Sequence, residues 1–300
     1  MTNTSKTIIF FGTDSFSSVS LRMLIEAGYS IAAVVTKPDS QKGRGRIWQK
    51  SAVKEIAEQH NITVLQPTKV ADIIPDIGII TAHAGTPPVG VLVSFGKIIP
   101  QNVIDLFDPG IINVHPSLLP LYRGPSPIES AILNGDNETG VSIMKLSADM
   151  DAGPVYSQTH VTLTGAETLP ELEQRLAENG AQELLRILPN IINGTATPTA
   201  QDDTNATYCA LLKKEDGIFD PSKIEALQAE RRIRAFLKFP KTKIIIGNHP
   251  IIITKAHLGS GGASPLDIEC ADGEFLCIDE LVGPSGKTMS SDAFINGYSR

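Results

Sequence analysis

The chain has 300 residues, of which 41% are hydrophobic and 20% charged, and its formal net charge is −7. This length suits two domains, and the apolar fraction is ample for packed cores in an ordinary globular composition. The negative charge argues against a broad nucleic-acid-binding surface. The first apolar run, 8–11, is far too short for a secretion signal or a membrane span, so the expected compartment is the cytosol.

The cysteines and histidines give no sign of a disulfide framework or a metal site. The cysteines are odd in number (Cys209, Cys270 and Cys277) and form no Cys-x-x-Cys pair, so we expect reduced, buried thiols. The histidines lack the His-x-x-x-His and His-Glu-x-x-His spacings of zinc sites. No bound metal is therefore expected.

The first two thirds of the chain alternate between short apolar runs and amphipathic stretches. Strand, helix and strand follow one another with tight turns from residue 6 to residue 35, which is typical of a parallel α/β sheet. The stretch 37–47 is basic, contains Pro38 and two glycines and has no periodicity, so it is predicted to be a loop. Strands are predicted over 6–11, 31–35, 63–65, 89–95, 111–114, 140–146 and 155–163, and helices before Gly28 and over 51–60 and 170–188.

The pattern changes after residue 192. Residues 193–206 are rich in Thr, Asp, Ala and Pro without an apolar pattern, which is typical of a linker. A helix over 223–236 and four short strands between 243 and 278 then predict a small β-barrel. The expected organisation is an α/β domain over 1–192, a linker over 193–206 and a second domain over 207–300.

Two segments are basic against this acidic background. Between Lys37 and Lys54 there are six bases and one acid, and a second cluster extends from Arg231 to Lys243. Local basic patches on an acidic protein indicate a localised contact with a polyanion, and solvated surface faces are the alternative explanation.

A nucleotide site of the common kinds is not expected. Phe11-Gly12-Thr13-Asp14-Ser15 lacks the later glycines of a dinucleotide fingerprint, and the chain has no Gly-x-x-x-x-Gly-Lys-Ser/Thr motif. Gly43-Arg44-Gly45 lies in the basic loop, where it suits close approach of the backbone to a polyanion better than a dinucleotide turn.

The densest group of polar residues follows a predicted strand, at the edge where open α/β sheets bind ligands. Asn113 and His115 are two residues apart and therefore face the same side of a strand. Asp151 lies downstream, in a tight Ala-Gly-Pro turn. An amide and a protonated imidazole can stabilise an oxyanion, and a carboxylate can assist proton transfer. These three residues predict a site for acyl-type transfer.

The same residues have simpler explanations. An Asn-x-His after a strand is often a capping and hydrogen-bonding pair, and an Asp before Ala-Gly often shapes a turn. No Ser or Cys stands in a nucleophile-elbow context, so attack by an external amine is more economical than a covalent enzyme intermediate.

These segments also carry a resemblance to a known family. Residues 112–124, with 149–154, look like the signature of the folate-dependent formyltransferases, among which the methionyl-tRNA formyltransferase family is the most similar. The match runs nearly from end to end. It includes 11–13, 35–39, 43–45, 51–54, 65–67, 113–120, 124–128, 135–141, 207–208, 214–217 and 233–236.

The resemblance implies a Rossmann-like catalytic domain with a parallel-rich sheet, followed by an OB-like domain that binds tRNA. It implies formyl transfer from 10-formyltetrahydrofolate, without a metal, to the α-amino group of initiator methionyl-tRNA, for translation initiation. We expect a cytoplasmic monomer. Asn113 and His115 would stabilise the oxyanion, and Asp151 would pair with His115 and relay the proton of the amine. The implied folate contacts are Phe95, Gly96, Lys97, Ile98, Ser117, Leu118, Leu119 and Pro120, and the implied tRNA contacts are Lys42, Arg44 and Arg46.

The chain departs from the family pattern at four places. Asp14-Ser15 and Ser94-Phe95 differ near the implied folate pocket, and residues 39–41 and 237–240 differ in regions implicated in holding tRNA. Two alternative functions remain open. One is a formyltransferase of the same superfamily that acts on a nucleotide-linked sugar amine or on glycinamide ribonucleotide, against which the basic loop and the C-terminal domain argue. The other is a catalytically silent RNA-binding module, against which the intact amide, imidazole and carboxylate argue.

Overall fold

A computed structural model describes residues 6–42, 45, 47–246, 249–262 and 264–298. The described chain divides into two compact units. The first holds the described residues of Met1–Pro125 together with Thr139–Val161 and Glu173–Tyr208, and the second holds Ser126–Glu138, Thr162–Leu172 and the described part of Cys209–Arg300. Within these described ranges, no helix is long and apolar enough to cross a bilayer.

Strands and helices alternate through the first part of the chain. Their order is β1 (Ile8–Gly12), α1 (Ser15–Glu26), β2 (Ile31–Val35), β3 (Ser40–Lys42), β4 (Ile47–Gln49), α2 (Ala52–Gln59), β5 (Thr63–Leu65), α3 (Ile74–Ala84), β6 (Val89–Val93), α4 (Gln101–Ile104) and β7 (Ile111–His115). The remaining elements are α5 (Pro127–Asn134), β8 (Glu138–Lys145), β9 (Val155–Thr162), α6 (Leu169–Ile192), α7 (Ala226–Ala235), β10 (Thr242–Ile246), β11 (His249–Gly259), β12 (Asp267–Glu269), β13 (Phe275–Val282), β14 (Thr288–Ser290) and α8 (Ser291–Tyr298).

The first unit is built on a seven-stranded sheet in the order β5-β2-β1-β6-β7-β8-β9. The strands from β5 to β7 are mutually parallel, and β8 is antiparallel to β7. Every residue of β1 and β7 is buried, because helices cover both faces of a parallel sheet. Side chains from β1, β2, β7 and the segment around α3 and α4 form one apolar core. The predicted α/β fold with a parallel-rich sheet is thus confirmed.

The helix boundaries follow from local capping chemistry. The side chains of Asp14 and Ser51 accept hydrogen bonds from the main-chain N–H groups of Ser17 and Lys54, at the starts of α1 and α2. Gly28 follows α1 with φ +80°, a conformation that glycine adopts without steric cost.

This unit differs from the sequence prediction at two longer segments, and the four-residue helix α4 was not predicted either. The stretch predicted as a loop contains the antiparallel hairpin β3-β4; its strands are short, and β4 is exposed throughout, so no apolar periodicity marks them. Helix α3 was not predicted. Its apolar residues lie on both faces, since Ile77 is buried while Ile79 is 61% exposed, and an amphipathic pattern is therefore weak.

The second unit contains a five-stranded antiparallel sheet. Its order is β10-β11-β13-β12, and β14 pairs with β13. Helix α7 packs on this sheet through Ala229 and Ile233, in a core that includes Leu276 and Phe294. The predicted helix and short strands after residue 207 are confirmed as a separate antiparallel β unit.

Candidate active site

Strand β7 delivers Asn113 and His115 to one side of the sheet. Both side chains are buried, each with 5% relative exposure, and the two residues pair with Met144 and Ser142 of β8. The alternation of side chains along a strand explains why both face the same side. Strand β7 ends at His115, so the imidazole lies at the carboxyl edge of the sheet.

Asp151 is brought to these residues by the turn between β8 and β9. Its Oδ1 lies 3.5 Å from Asn113 Nδ2, and its Oδ2 lies 3.7 Å from His115 Nδ1. The main-chain N–H of Gly124 donates to Oδ2 over 2.9 Å. The structure therefore brings together the three residues that the sequence singled out, and the carboxylate is held by a main-chain donor.

The backbone of the turn that carries Asp151 is unusual. Asp151 has φ +49°, a left-handed conformation that costs a non-glycine residue about 1 kcal/mol. A Cβ on Gly153 would lie 1.9 Å from the carbonyl oxygen of Lys145, so only glycine allows the turn to pack this closely on β8. The position of the carboxylate thus depends on a tightly packed, left-handed turn.

The imidazole of His115 is hydrogen-bonded at one nitrogen and lies near a carboxylate with the other. Its Nε2 lies 3.0 Å from the carbonyl oxygen of Tyr122, and a carbonyl can only accept, so Nε2 carries a proton. Its Nδ1 faces the carboxylate of Asp151. Both neighbours are acceptors, so each ring nitrogen faces a group to which an N–H can donate.

This arrangement suits stabilisation of an oxyanion. Asn113 offers an amide donor, His115 offers an imidazole ring, and the carboxylate of Asp151 lies beside both at 16% side-chain exposure. Donors that are already oriented in a largely buried site lower the energy of a developing negative charge without reorganisation. The geometry can therefore serve the acyl-type transfer that the residue types predict.

The segment after His115 is held by internal bonds. The Ser117 hydroxyl donates to Leu121 O over 2.6 Å, and Leu119 N donates to the Ser142 hydroxyl over 3.0 Å. Ser117 and Leu119 are buried, whereas Leu118 and Pro120 are half-buried. Of these four residues, Leu118 and Pro120 have side-chain surface that a ligand can contact.

The second implied folate segment follows β6. The Phe95 ring is buried and packs edge-on against Phe11 at 5.6 Å, so only its main chain is available to a ligand. Gly96 is exposed with φ +69°, and Ile98 is 81% exposed. The Lys97 ammonium donates to the carbonyls of Pro67 and Thr68 at 2.7 and 3.1 Å.

The basic segment is only partly described. Arg44 and Arg46 lie outside the described residues, and Lys42 is described in its backbone alone, within β3. Two other bases of this segment are paired with acids. Lys50 contacts Glu58 at 2.6 Å, and Lys54 contacts Asp39 at 2.7 Å.

Three residues that support the site were not predicted. Tyr122 accepts from His115 through its carbonyl, Arg123 is buried at 2% exposure, and Gln201 donates to the carbonyls of Asp151 and Gly153 at 2.8 and 2.7 Å. Arg123 lies within the recognised signature stretch and could have been found there. Gln201 lies in a polar segment without local pattern, so no sequence signal marks it.

The thiols of two cysteines are poorly suited to act as nucleophiles. Burial raises the pKa of the Cys270 and Cys277 thiols, which disfavours reactive thiolates. Among the described residues, no group of three His, Cys, Asp or Glu side chains is arranged to hold a metal ion.

Comparison with known proteins identifies the family. A profile described as "Formyl transferase" matches residues 5–188, and one described as "Formyl transferase, C-terminal domain" matches residues 211–299. A protein of Trichlorobacter lovleyi named methionyl-tRNA formyltransferase is 34% identical over 97% of this chain and 94% of its own length. A protein of the same name from Stutzerimonas stutzeri is 37% identical over 94% and 91%.

Solved structures share the fold at low identity. An N-formyltransferase from Helicobacter canadensis, in complex with folinic acid and dTDP-3-aminofucose, has a TM-score of 0.67 at 20% identity, covering 91% of this chain and 98% of that one. HypX from Aquifex aeolicus, in complex with tetrahydrofolic acid, has a TM-score of 0.65 at 17% identity, covering 96% of this chain and 46% of that one. With the profile matches and the full-length relatives, these findings show that the chain belongs to the formyl transferase family.

Proposed function

We propose that this chain transfers the formyl group of 10-formyltetrahydrofolate to the α-amino group of initiator methionyl-tRNA. The observation that carries the proposal is the convergence of Asn113, His115 and Asp151 at the carboxyl edge of β7. The relatives named methionyl-tRNA formyltransferase, similar over nearly the whole chain, support this acceptor. Folate ligands in structural relatives support the donor.

In the proposed reaction, the amine nitrogen attacks the formyl carbon, and the carbonyl electron pair moves onto the oxygen. Asn113 Nδ2 and the protonated ring of His115 stabilise this oxyanion. One well-placed donor of this kind lowers the barrier by ~3–4 kcal/mol. The tetrahedral intermediate then collapses, the bond between the formyl carbon and N10 breaks, and the amide product forms.

Two proton movements balance this reaction. The amine nitrogen, which becomes positively charged when it attacks the formyl carbon, loses one proton, and the leaving N10 gains one. Asp151 is proposed to pass the amine proton on through water, because its carboxylate is 16% exposed and faces His115. His115 is proposed to supply the proton for N10, because an imidazole can act as a general acid and this one lies at the end of β7 beside Asp151.

The proposed folate site lies between residues 95–98, which follow β6, and residues 117–120, which follow β7. Ile98 and Leu118 would pack against the rings of the carrier, since both have accessible side chains. Phe95 and Gly96 would contribute main-chain groups because the Phe95 ring is buried. Lys97, Ser117, Leu119 and Pro120 complete the proposed set.

The proposed tRNA contact involves Lys42, Arg44 and Arg46. Lys50 and Lys54 of the same segment are engaged by acids. Two arginines of the second cluster are engaged inside their own unit. Arg232 donates to the Asp216 carbonyl, and Arg234 pairs with Glu230 at 2.7 Å. The first segment, with six bases and one acid, is the proposed site of phosphate contacts.

The proposal also assigns the parts of the chain. Residues 1–192 would form the catalytic domain, 193–206 the linker and 207–300 the tRNA-binding domain, a division supported by the separate profile matches at 5–188 and 211–299. The enzyme is proposed to act as a cytoplasmic monomer.

The test compares acceptors at fixed 10-formyltetrahydrofolate. Initiator methionyl-tRNA, an elongator methionyl-tRNA and a dTDP-linked amino sugar are each offered to the wild type, with Asn113→Ala as the control for enzyme-dependent transfer. We expect formyl-methionyl-tRNA to form fastest with the initiator, and Asn113→Ala to be slower by at least about a hundredfold. Transfer to the sugar amine without transfer to tRNA would overturn the proposal and favour the sugar-specific alternative.

A further inference from the structure

A buried arginine and a glutamine connect the segment 201–208 to the Asp151 turn. Arg123 donates through Nε and Nη2 to Gln201 Oε1, over 3.0 and 2.9 Å. Gln201 Nε2 in turn donates to the carbonyl oxygens of Asp151 and Gly153. Both protons and the oxygen of the Gln201 amide are therefore engaged, and its orientation is fixed.

The same arginine also fixes the donor to the carboxylate. Arg123 N donates to Thr207 O over 2.9 Å, and the Arg123 side chain contacts Asp203 Oδ1 at 2.7 Å and the Tyr208 hydroxyl at 3.2 Å. The next residue, Gly124, donates its main-chain N–H to Asp151 Oδ2. Both the carboxylate and the main chain of Asp151 are thus held relative to Arg123.

These bonds surround Asp151, whose left-handed backbone is unfavourable for a residue other than glycine. The left-handed backbone of Asp151 persists only when surrounding contacts determine it. The two carbonyls that Gln201 holds, those of Asp151 and Gly153, bracket this turn. Loss of the Gln201 amide would leave both carbonyls without that donor and would release the turn.

We propose that Arg123 and Gln201 are positioning residues that hold Asp151 against His115 for formyl transfer. They act through Asp151 rather than on the substrates. This inference rests on the proposed catalytic role of Asp151. It assigns to residue 201, in a segment that composition marks as a linker, a part in the geometry of the reaction.

The experiment measures formyl transfer and the Gly124 amide in parallel. Gln201→Ala removes all four bonds, and Gln201→Glu keeps the acceptor for Arg123 but removes both donors. Asp202→Ala is the matched control, because Asp202 bonds only within its own segment among the contacts described, to Thr204 and Asn205.

We expect both Gln201 variants to lower kcat at least tenfold, with the KM for the folate donor changed less than twofold. Asp202→Ala should keep kcat within twofold. In the double variant Gln201→Ala with Asp151→Ala, the rate should equal that of Asp151→Ala alone, because Gln201 acts through that residue. A general loss of folding would instead multiply the two effects.

The second measurement does not depend on activity. We expect hydrogen exchange of the Gly124 N–H to be at least tenfold faster in Gln201→Ala and unchanged in Asp202→Ala. Wild-type kcat in both Gln201 variants would overturn the inference, as would multiplicative effects in the double variant or unchanged Gly124 exchange. Wild-type activity in Asp151→Ala would instead refute the proposed catalytic role, so the two failures are distinguishable.

Discussion

Replacement of Asp151 by asparagine tests the central electrostatic contact with little change in shape. The new amide keeps an oxygen that can accept from Gly124 N, now at 2.9 Å. It removes the negative charge 3.7 Å from His115 Nδ1. It also turns an amino group toward Asn113 Nδ2, which is itself a donor, so the contact at 3.5 Å is lost.

The magnitude follows from the distance between the charges. Two unit charges at the His115–Asp151 separation attract by ~4 kcal/mol at an effective dielectric constant of about 20. Loss of this whole attraction from the transition state would slow the reaction by about a thousandfold, which is the upper limit of the effect. Partial exposure of the carboxylate reduces this effect. We therefore expect Asp151→Asn to slow formyl transfer by about 100- to 1000-fold, while stability changes by under ~1 kcal/mol because the Gly124 bond remains.

The assay is single-turnover transfer at saturating folate donor and acceptor, so that substrate affinity does not enter. Thermal unfolding of the same samples checks the fold. A rate within tenfold of wild type, in a folded variant, would refute the argument, since proton transfer and charge compensation would then be supplied by groups other than Asp151.

Three further predictions concern the Asp151 turn, the basic segment and a carboxylate of helix α6. Gly153→Ala places a methyl group against a main-chain carbonyl, so turnover should fall at least tenfold in single-turnover assays; an unchanged rate would show that the turn can shift freely. Arg44→Ala should reduce the slope of log tRNA affinity against log salt by up to about one unit. Lys50→Ala, which removes an acid-paired charge, should reduce this slope less. Equal slopes for the two variants would contradict the assignment of Arg44 to tRNA. The pKa of Glu183 is lowered chiefly by its hydrogen bond from Arg186, so this carboxylate stabilises the fold above its unfolded pKa of about 4.3 and loses that effect as pH falls. Glu183→Gln should therefore cost about 1 kcal/mol in denaturant unfolding at pH 7 and little at pH 3; an equal cost at both pH values would refute the ionic explanation.

Much of the fold was predictable because its signals are local. Buried parallel strands are continuous apolar runs, and β1, β2, β6 and β7 could be identified from such runs. The pair Asn113 and His115 was predictable for a similar reason, since alternation along a strand fixes which side chains share a side.

The residues that hold the site in place could not be predicted, because their contacts join distant parts of the chain. The carbonyl partner of His115 Nε2 is main chain, and a main-chain group has no residue identity to recognise. Gln201 reaches Asp151 across 50 positions of sequence. The composition of residues 193–206 predicts a linker, yet composition does not tell whether a polar segment is solvated or bonded to a folded domain.

Two of the departures from the family pattern contact each other in the structure. Asp14 and Ser94 stand in two different altered segments, and the Ser94 hydroxyl donates to the Asp14 carboxylate. Ser94 has φ +44°, a left-handed conformation that needs such support in a residue other than glycine. Asp14 also accepts from Ser17 N at the start of α1. The two changes therefore belong together: the acid caps a helix and holds the strained residue that precedes Phe95 and Gly96, at the edge of the proposed folate site.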